Sequence, residues 1–133
     1  MTVWAGRSIV GIGLLHLALT TLVTLQSWPA WAEGQLRRGL PPPENMSVEL
    51  ATSLIGFWAM PGSFAVPYVV LGLLIIHVAK RGVPLPRYIA WVLGAWALVG
   101  ALILEPSGFP LGLIPAGLLL AARDRPHPTA QVG

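Results

Sequence analysis

The chain has 133 residues, 55% of them hydrophobic and 10% charged, whereas ordinary soluble domains carry about 25% charged residues; that is too little charge to clothe a small water-soluble fold, which buries a modest share of its surface. The formal charge of +3 and the pI near 10.2 come from single basic residues or pairs set between apolar runs, without a basic stripe or a nucleic-acid motif, so nucleic acid is not expected as a partner. The absence of cysteine excludes disulfides, thiolate metal sites and cysteine nucleophiles.

Apolar runs at about 8–26, 61–79, 88–104 and 107–122 approach the roughly 20 residues a helix needs to cross a hydrocarbon core. In the first, His16, Thr20 and Thr24 are spaced by four and Gly13 precedes the histidine by three, which puts them on one helical face. Leu14, Leu15, Leu22 and Leu25 occupy the other side and suit lipid. Two readings of His16 stay open. It and the threonines are interhelical hydrogen-bonding groups worth about 0.6 kcal/mol each, or an intramembrane ionisable residue marks a functional site, histidine being the side chain whose proton moves near neutral pH. The same stretch imitates a secretory signal, with Arg7, an apolar run and Ala30-Trp31-Ala32 as a cleavage site. Its apolar core exceeds the usual length of roughly 7–15 residues and carries His16, Thr20, Thr21 and Thr24, so an uncleaved span is expected.

An outer loop with a partial helix follows, over 27–60. The segment "LPPPE", Leu40 to Glu44, is a stiff extended turn because consecutive prolines favour the polyproline form. Ser47 is placed to cap a helix starting at Val48, with Glu49 in a first turn where negative charge is favourable. From Val48 to Ala79 one continuous helix would measure about 48 Å, too long for a single crossing. "MPGS", Met60 to Ser63, is a break signal, so Val48–Ala59 is expected to be an interfacial or re-entrant helix feeding the second span.

The third span carries small residues four apart, Ala90 with Gly94 and Ala97 with Ala101, the pattern that lets membrane helices approach closely. Bundle packing or a homo-oligomer contact is the expected use. Trp96 sits at its centre, whereas Trp4, Trp28, Trp31, Trp58 and Trp91 fall near the ends of runs, as aromatic belts do. In the fourth run Pro110 lies near the start, while Pro115 is expected to kink the helix or to mark a close contact.

With the amino terminus inside, Arg7, Lys80, Arg81, Arg87, Arg123 and Arg125 all lie on the cytoplasmic side and only Arg37 and Arg38 fall outside, which satisfies the positive-inside rule. The expected fold is an all-α integral membrane four-helix bundle forming one domain over 1–125, with a polar tail at 126–133. Both termini are placed in the cytoplasm, and the location is the bacterial cytoplasmic membrane.

Three residues carry candidate chemistry. His16 with Glu49 and Glu105, which map to outer helix ends, supplies the groups for adding a proton at one carbon and removing one at another. Against this, Glu49 is also accounted for as a helix-start charge and Glu105, in "LEPSGF", as a solvated turn residue. Thr20, Thr24, Trp58 and Trp96 are candidates to line a substrate site, Trp96 through its ring face. No cofactor is expected, and no metal site, since His16, His77 and His127 belong to mid-span, the inner interface and the tail.

"WAGR" at Trp4 to Arg7, "GIGLLH" ending at His16 and "PSGF" at Pro106 to Phe109 resemble an uncharacterised family of small four-span bacterial membrane proteins, a domain of unknown function, and distantly the DoxX-like group. The resemblance covers nearly the whole chain and implies no catalytic residues. Sterol-isomerase-like membrane proteins are similar only in ingredients, and ingredients do not establish function. Two functions are therefore expected as alternatives: a multi-pass protein holding a lipid or other apolar molecule in an outward-facing bundle cavity, or a membrane enzyme for acid–base isomerisation or cyclisation of an isoprenoid- or polyketide-like substrate.

Overall fold

Among the described residues, six α-helices make up the regular structure together with short 3-10 turns, as expected for an all-helical fold: α1 (Thr2–Thr24), α2 (Trp28–Ala32), α3 (Val48–Ala59), α4 (Ala65–Lys80), α5 (Arg87–Ile103) and α6 (Leu113–Ala121). The computed structural model describes residues 1–37, 39–104 and 107–122. Across the 3-10 turn at Leu25–Ser27, α1 and α2 form a 31-residue apolar helix from Thr2 to Ala32. Among the described residues it is the one helix long and apolar enough to cross a membrane, the other apolar helices having 10–17 residues. Helix length alone therefore does not show four crossings.

Local chemistry explains most boundaries. Arg7 does not delay the start of α1 to residue 8, because its guanidinium lies 4.8 Å over the Trp4 ring, folded back toward the amino end as long basic side chains do on apolar helices. Pro29 removes the N–H that would bond to Leu25, and the preceding turn tightens to 3-10. Extended backbone ends at Pro42, and Pro43–Asn45 closes into a 3-10 turn. Ser47 caps α3 as its position predicts, its Oγ accepting from the Leu50 N–H at 3.2 Å. The break expected at "MPGS" is present.

Of the two expectations for Pro115, the close contact agrees with its fully buried side chain and the kink requires a correction. Pro115 falls in the first turn of α6, after a 3-10 turn at Phe109–Gly112, where a missing N–H breaks little of the helix's own bonding. It starts a helix rather than kinking one.

Two compact units divide the chain, one formed by Met1–Ile9 with Leu71 onward, the other by Val10–Val70. In the first, Ala5, Ile9 and Ile75 are fully buried and Gly6 lies directly against the Gly72 carbonyl and the Ile75 and Ile76 side chains. Gly94 of α5 faces Ala116 of α6. Ala90, Ala97, Pro115 and Ala116 are buried, and the Phe109 ring lies across Gly100, where any Cβ would overlap it. In the second unit, successive residues of α3 meet progressively earlier residues of α1 and α2: Ser53 bonds to Trp31, Gly56 packs on Thr24 and Ala59 bonds to His16. The helix Val48–Ala59 thus runs antiparallel alongside α1. Gly13 continues the register against Ala65 and Val69 of α4.

Candidate functional site

The two ends of α3 and α4 show what His16 does. α4 finishes on a complete pair of capping bonds, Gly82 N–H to the Ala79 carbonyl at 3.1 Å and Val83 N–H to the Val78 carbonyl at 3.3 Å, with Gly82 in the left-handed conformation (φ +73°) that this motif uses. α3 makes the outer bond of such a pair, from Gly62 N–H to the Phe57 carbonyl at 2.8 Å. The inner bond, which would run to the Trp58 carbonyl, is impossible because Pro61 has no N–H. Helix ends leave carbonyls that need donors from elsewhere, and His16 supplies one: its Nε2 lies 2.9 Å from the Ala59 carbonyl oxygen.

A carbonyl only accepts, so Nε2 carries the proton and donates. In the neutral ring Nδ1 is then an acceptor. Among the described residues Nδ1 has no hydrogen-bond partner, and it is not sealed in, since the one buried side-chain polar atom left unsatisfied is Ser107 Oγ. The imidazole is half-buried and tilted against Phe64, with ring centroids 5.6 Å apart. Beyond the break, Ser63 Oγ donates to the Met60 carbonyl at 2.8 Å and accepts from the Ala65 N–H at 3.2 Å. The serine hydroxyl thereby joins the end of α3 to the start of α4.

The threonine stripe lies on the face expected of it, but its hydroxyl protons are spent within the helix. Thr20 donates to the His16 carbonyl at 2.7 Å and Thr24 to the Thr20 carbonyl at 2.8 Å. Thr24 also accepts from Trp28 Nε1 at 3.3 Å, and at 5% exposure it packs its methyl on α3 beside Gly56. Each threonine oxygen keeps accepting capacity only.

A second polar group was not legible in the sequence. Ser53, 4% exposed, accepts from Trp31 Nε1 at 2.8 Å and donates to Gln35 Oε1 at 2.9 Å, tying α2 and the turn after it to α3. Its spacing in "ELATSLIGFW" gives no signal, since both partners come from an earlier, non-periodic segment. Ser53→Ala is expected to destabilise the protein by about 1–2 kcal/mol, because it strands two partners. Thr52→Ala, at the adjacent exposed position, is expected to be near neutral; detergent unfolding curves compare them.

The other candidates do not converge on His16. Glu49 is exposed in the first turn of α3, ten residues before Ala59 and so roughly 15 Å away along the helix axis. The structure does not bring the two together. Trp58 lies beside the break, where Gly62 touches its ring, but it is 63% exposed and its contact is edge-to-face with Phe57 at 5.6 Å. Trp96 belongs to the other unit and meets Phe109 edge-on at 5.1 Å. Glu105 lies outside the described residues. Gly94 of α5 packs on Ala116 of α6 within the chain, Ala90 and Ala97 are buried and Ala101 is half-buried on the same helix.

The model of a family of unknown function, DUF6463, matches residues 1–126. The chain belongs to that family. No curated protein and no solved structure matches it. Membership of DUF6463 agrees with the expected uncharacterised family and brings no activity with it, so function is argued from the site.

Proposed function

We propose that the protein is a multi-pass protein of the bacterial cytoplasmic membrane, with four crossings and both termini cytoplasmic, that holds an apolar molecule against the interrupted helix beside His16. The dimensions support this reading. From Arg7 to Trp28 the first helix rises about 31 Å at 1.5 Å per residue, close to the roughly 30 Å of a bilayer's hydrocarbon, with His16 near the middle. α3 and α4 then act as two halves of one discontinuous crossing, α3 through the outer half and α4 through the inner. α5 and the 109–121 helix complete the four-span plan that the terminal motifs resemble. Large apolar side chains cover the outside, among them Leu22, Val23, Leu102 and Ile103, each more than 70% exposed.

One observation carries the binding part. Around the break Pro61 is exposed and Met60, Gly62 and Ser63 are only half-buried. Non-helical backbone at membrane depth is tolerated where protein buries it or where it lines a cavity, and broken helices at mid-depth are where membrane proteins place ligand sites. An isomerase or cyclase pairing His16 with Glu49 lacks this support, because the carboxylate sits at the far end of α3.

The absence of cysteine makes the test direct. Glu44→Cys is expected to react with a membrane-impermeant maleimide in intact cells, and Val83→Cys only in inverted vesicles. Farnesol, added to the purified protein in detergent, is expected to raise the unfolding midpoint saturably by several degrees, as a ligand of the native state does. Labelling of both positions from one side removes the topology, and an unchanged midpoint removes the binding role.

A further inference from the structure

The geometry points to a hydrogen-bond acceptor, His16 Nδ1, as the polar anchor of the site, and so to an apolar molecule bearing a hydroxyl as the class of ligand it takes. This rests on the reading of the interrupted helix as an apolar binding site and adds to it the polarity of the bound group.

The polarity follows from the bonding around the break. His16 Nε2 is committed as a donor to the Ala59 carbonyl, so that in the neutral ring Nδ1 carries the lone pair. The Thr20 and Thr24 hydroxyl protons are directed to carbonyls of α1. The Ser63 proton goes to the Met60 carbonyl. The hydroxyls of Thr20, Thr24 and Ser63 have thus given their protons to the backbone, and these three groups offer acceptors and no donor. A carbonyl or ether oxygen finds no donor among these three hydroxyls. An alcohol or phenol finds Nδ1, and a hydroxyl carried into an apolar setting without a partner is penalised. The Phe64 ring, 5.6 Å from the imidazole and 42% exposed, gives the ligand's apolar body a surface beside that acceptor.

Farnesol and farnesene separate the two levels of the reading, since they share a chain and differ in the hydroxyl. With the purified full-length protein in detergent, the unfolding midpoint followed against concentration is expected to give an affinity for farnesol about fivefold or more above that for farnesene, the worth of one neutral hydrogen bond. In His16→Gln, where the amide N–H still reaches the Ala59 carbonyl, that preference is expected to fall below about twofold. The wild-type protein carries an independent readout if the variant fails to fold. With ¹⁵N-labelled histidine, the Nδ1 resonance of the Nε2–H tautomer moves upfield on adding farnesol and stays in place with farnesene. Equal affinity for the two probes, or an Nδ1 resonance indifferent to farnesol, overturns the acceptor role while leaving apolar binding intact. Binding of neither probe overturns both.

Discussion

Gly6→Ala is expected to destabilise the protein by about 2–3 kcal/mol, at the upper end of what overpacking costs, and Gly11→Ala, five residues along the same helix, to stabilise it by about 0.5–1 kcal/mol. Nothing in composition separates the two glycines; the difference is what faces them. A Cβ at Gly6 would stand 2.8 Å from the Gly72 carbonyl oxygen and 2.7 Å from Ile76 Cγ1. The Ile76 side chain can turn aside, but the carbonyl belongs to the backbone of α4 and yields only if the helices part. Parting them opens the packing around Ala5, Ile9 and Ile75, all essentially without exposure, so the loss extends beyond one contact. A Cβ at Gly11 meets nothing within 4 Å, and the alanine contributes only its better helix propensity. Reversible unfolding in mixed micelles, read by far-UV circular dichroism, gives both signs in one experiment. Two changes of the same sign and size would mean that the close approach of α1 to α4 is not a source of stability.

The same contrast explains how much could be read in advance. Val48–Ala59 was legible to the residue because both of its ends are written locally, by a serine that caps and by a Met-Pro-Gly-Ser break. The face holding Gly13, His16, Thr20 and Thr24 was legible because helical spacing alone defines it. What α3 does with that face was not. Local pattern suggests an interfacial or re-entrant segment, whereas its antiparallel course along α1 depends on Gly56 meeting Thr24 and Ser53 meeting Trp31 and Gln35, pairings between distant segments with no period of their own. The kink expected at Pro115 is absent for a related reason. A proline's effect depends on where the helix begins, and α6 begins only two residues before it, after a 3-10 turn that no spacing announces. Glu49 is a first-turn charge, as expected, but α3 meets His16 through Ala59 at its other end, so the length of the helix itself holds the carboxylate away from the imidazole.

His16→Leu is expected to cost about 2 kcal/mol of stability, and His16→Gln to restore most of it, even though leucine suits an apolar span better than either. Burying the larger apolar side chain contributes favourably, so a purely hydrophobic account predicts a gain. The opposing term is the Ala59 carbonyl at the end of α3, which would lose the Nε2–H donor 2.9 Å away. An acceptor stranded in a low-dielectric setting costs about 1–3 kcal/mol. Water reaching the half-exposed break would lower that figure and no substitute side chain would, so the deficit of the leucine variant also measures how dry the site is. Glutamine is the discriminating replacement because its amide N–H spans a distance similar to Nε2 and repairs the cap without an imidazole. If leucine proves neutral or stabilising, His16 is not holding the end of α3, and the case for a polar anchor at the break loses its structural half. If leucine destabilises and glutamine rescues, the histidine's cap function is separable from its Nδ1, and any ligand preference that glutamine fails to restore belongs to that second nitrogen alone.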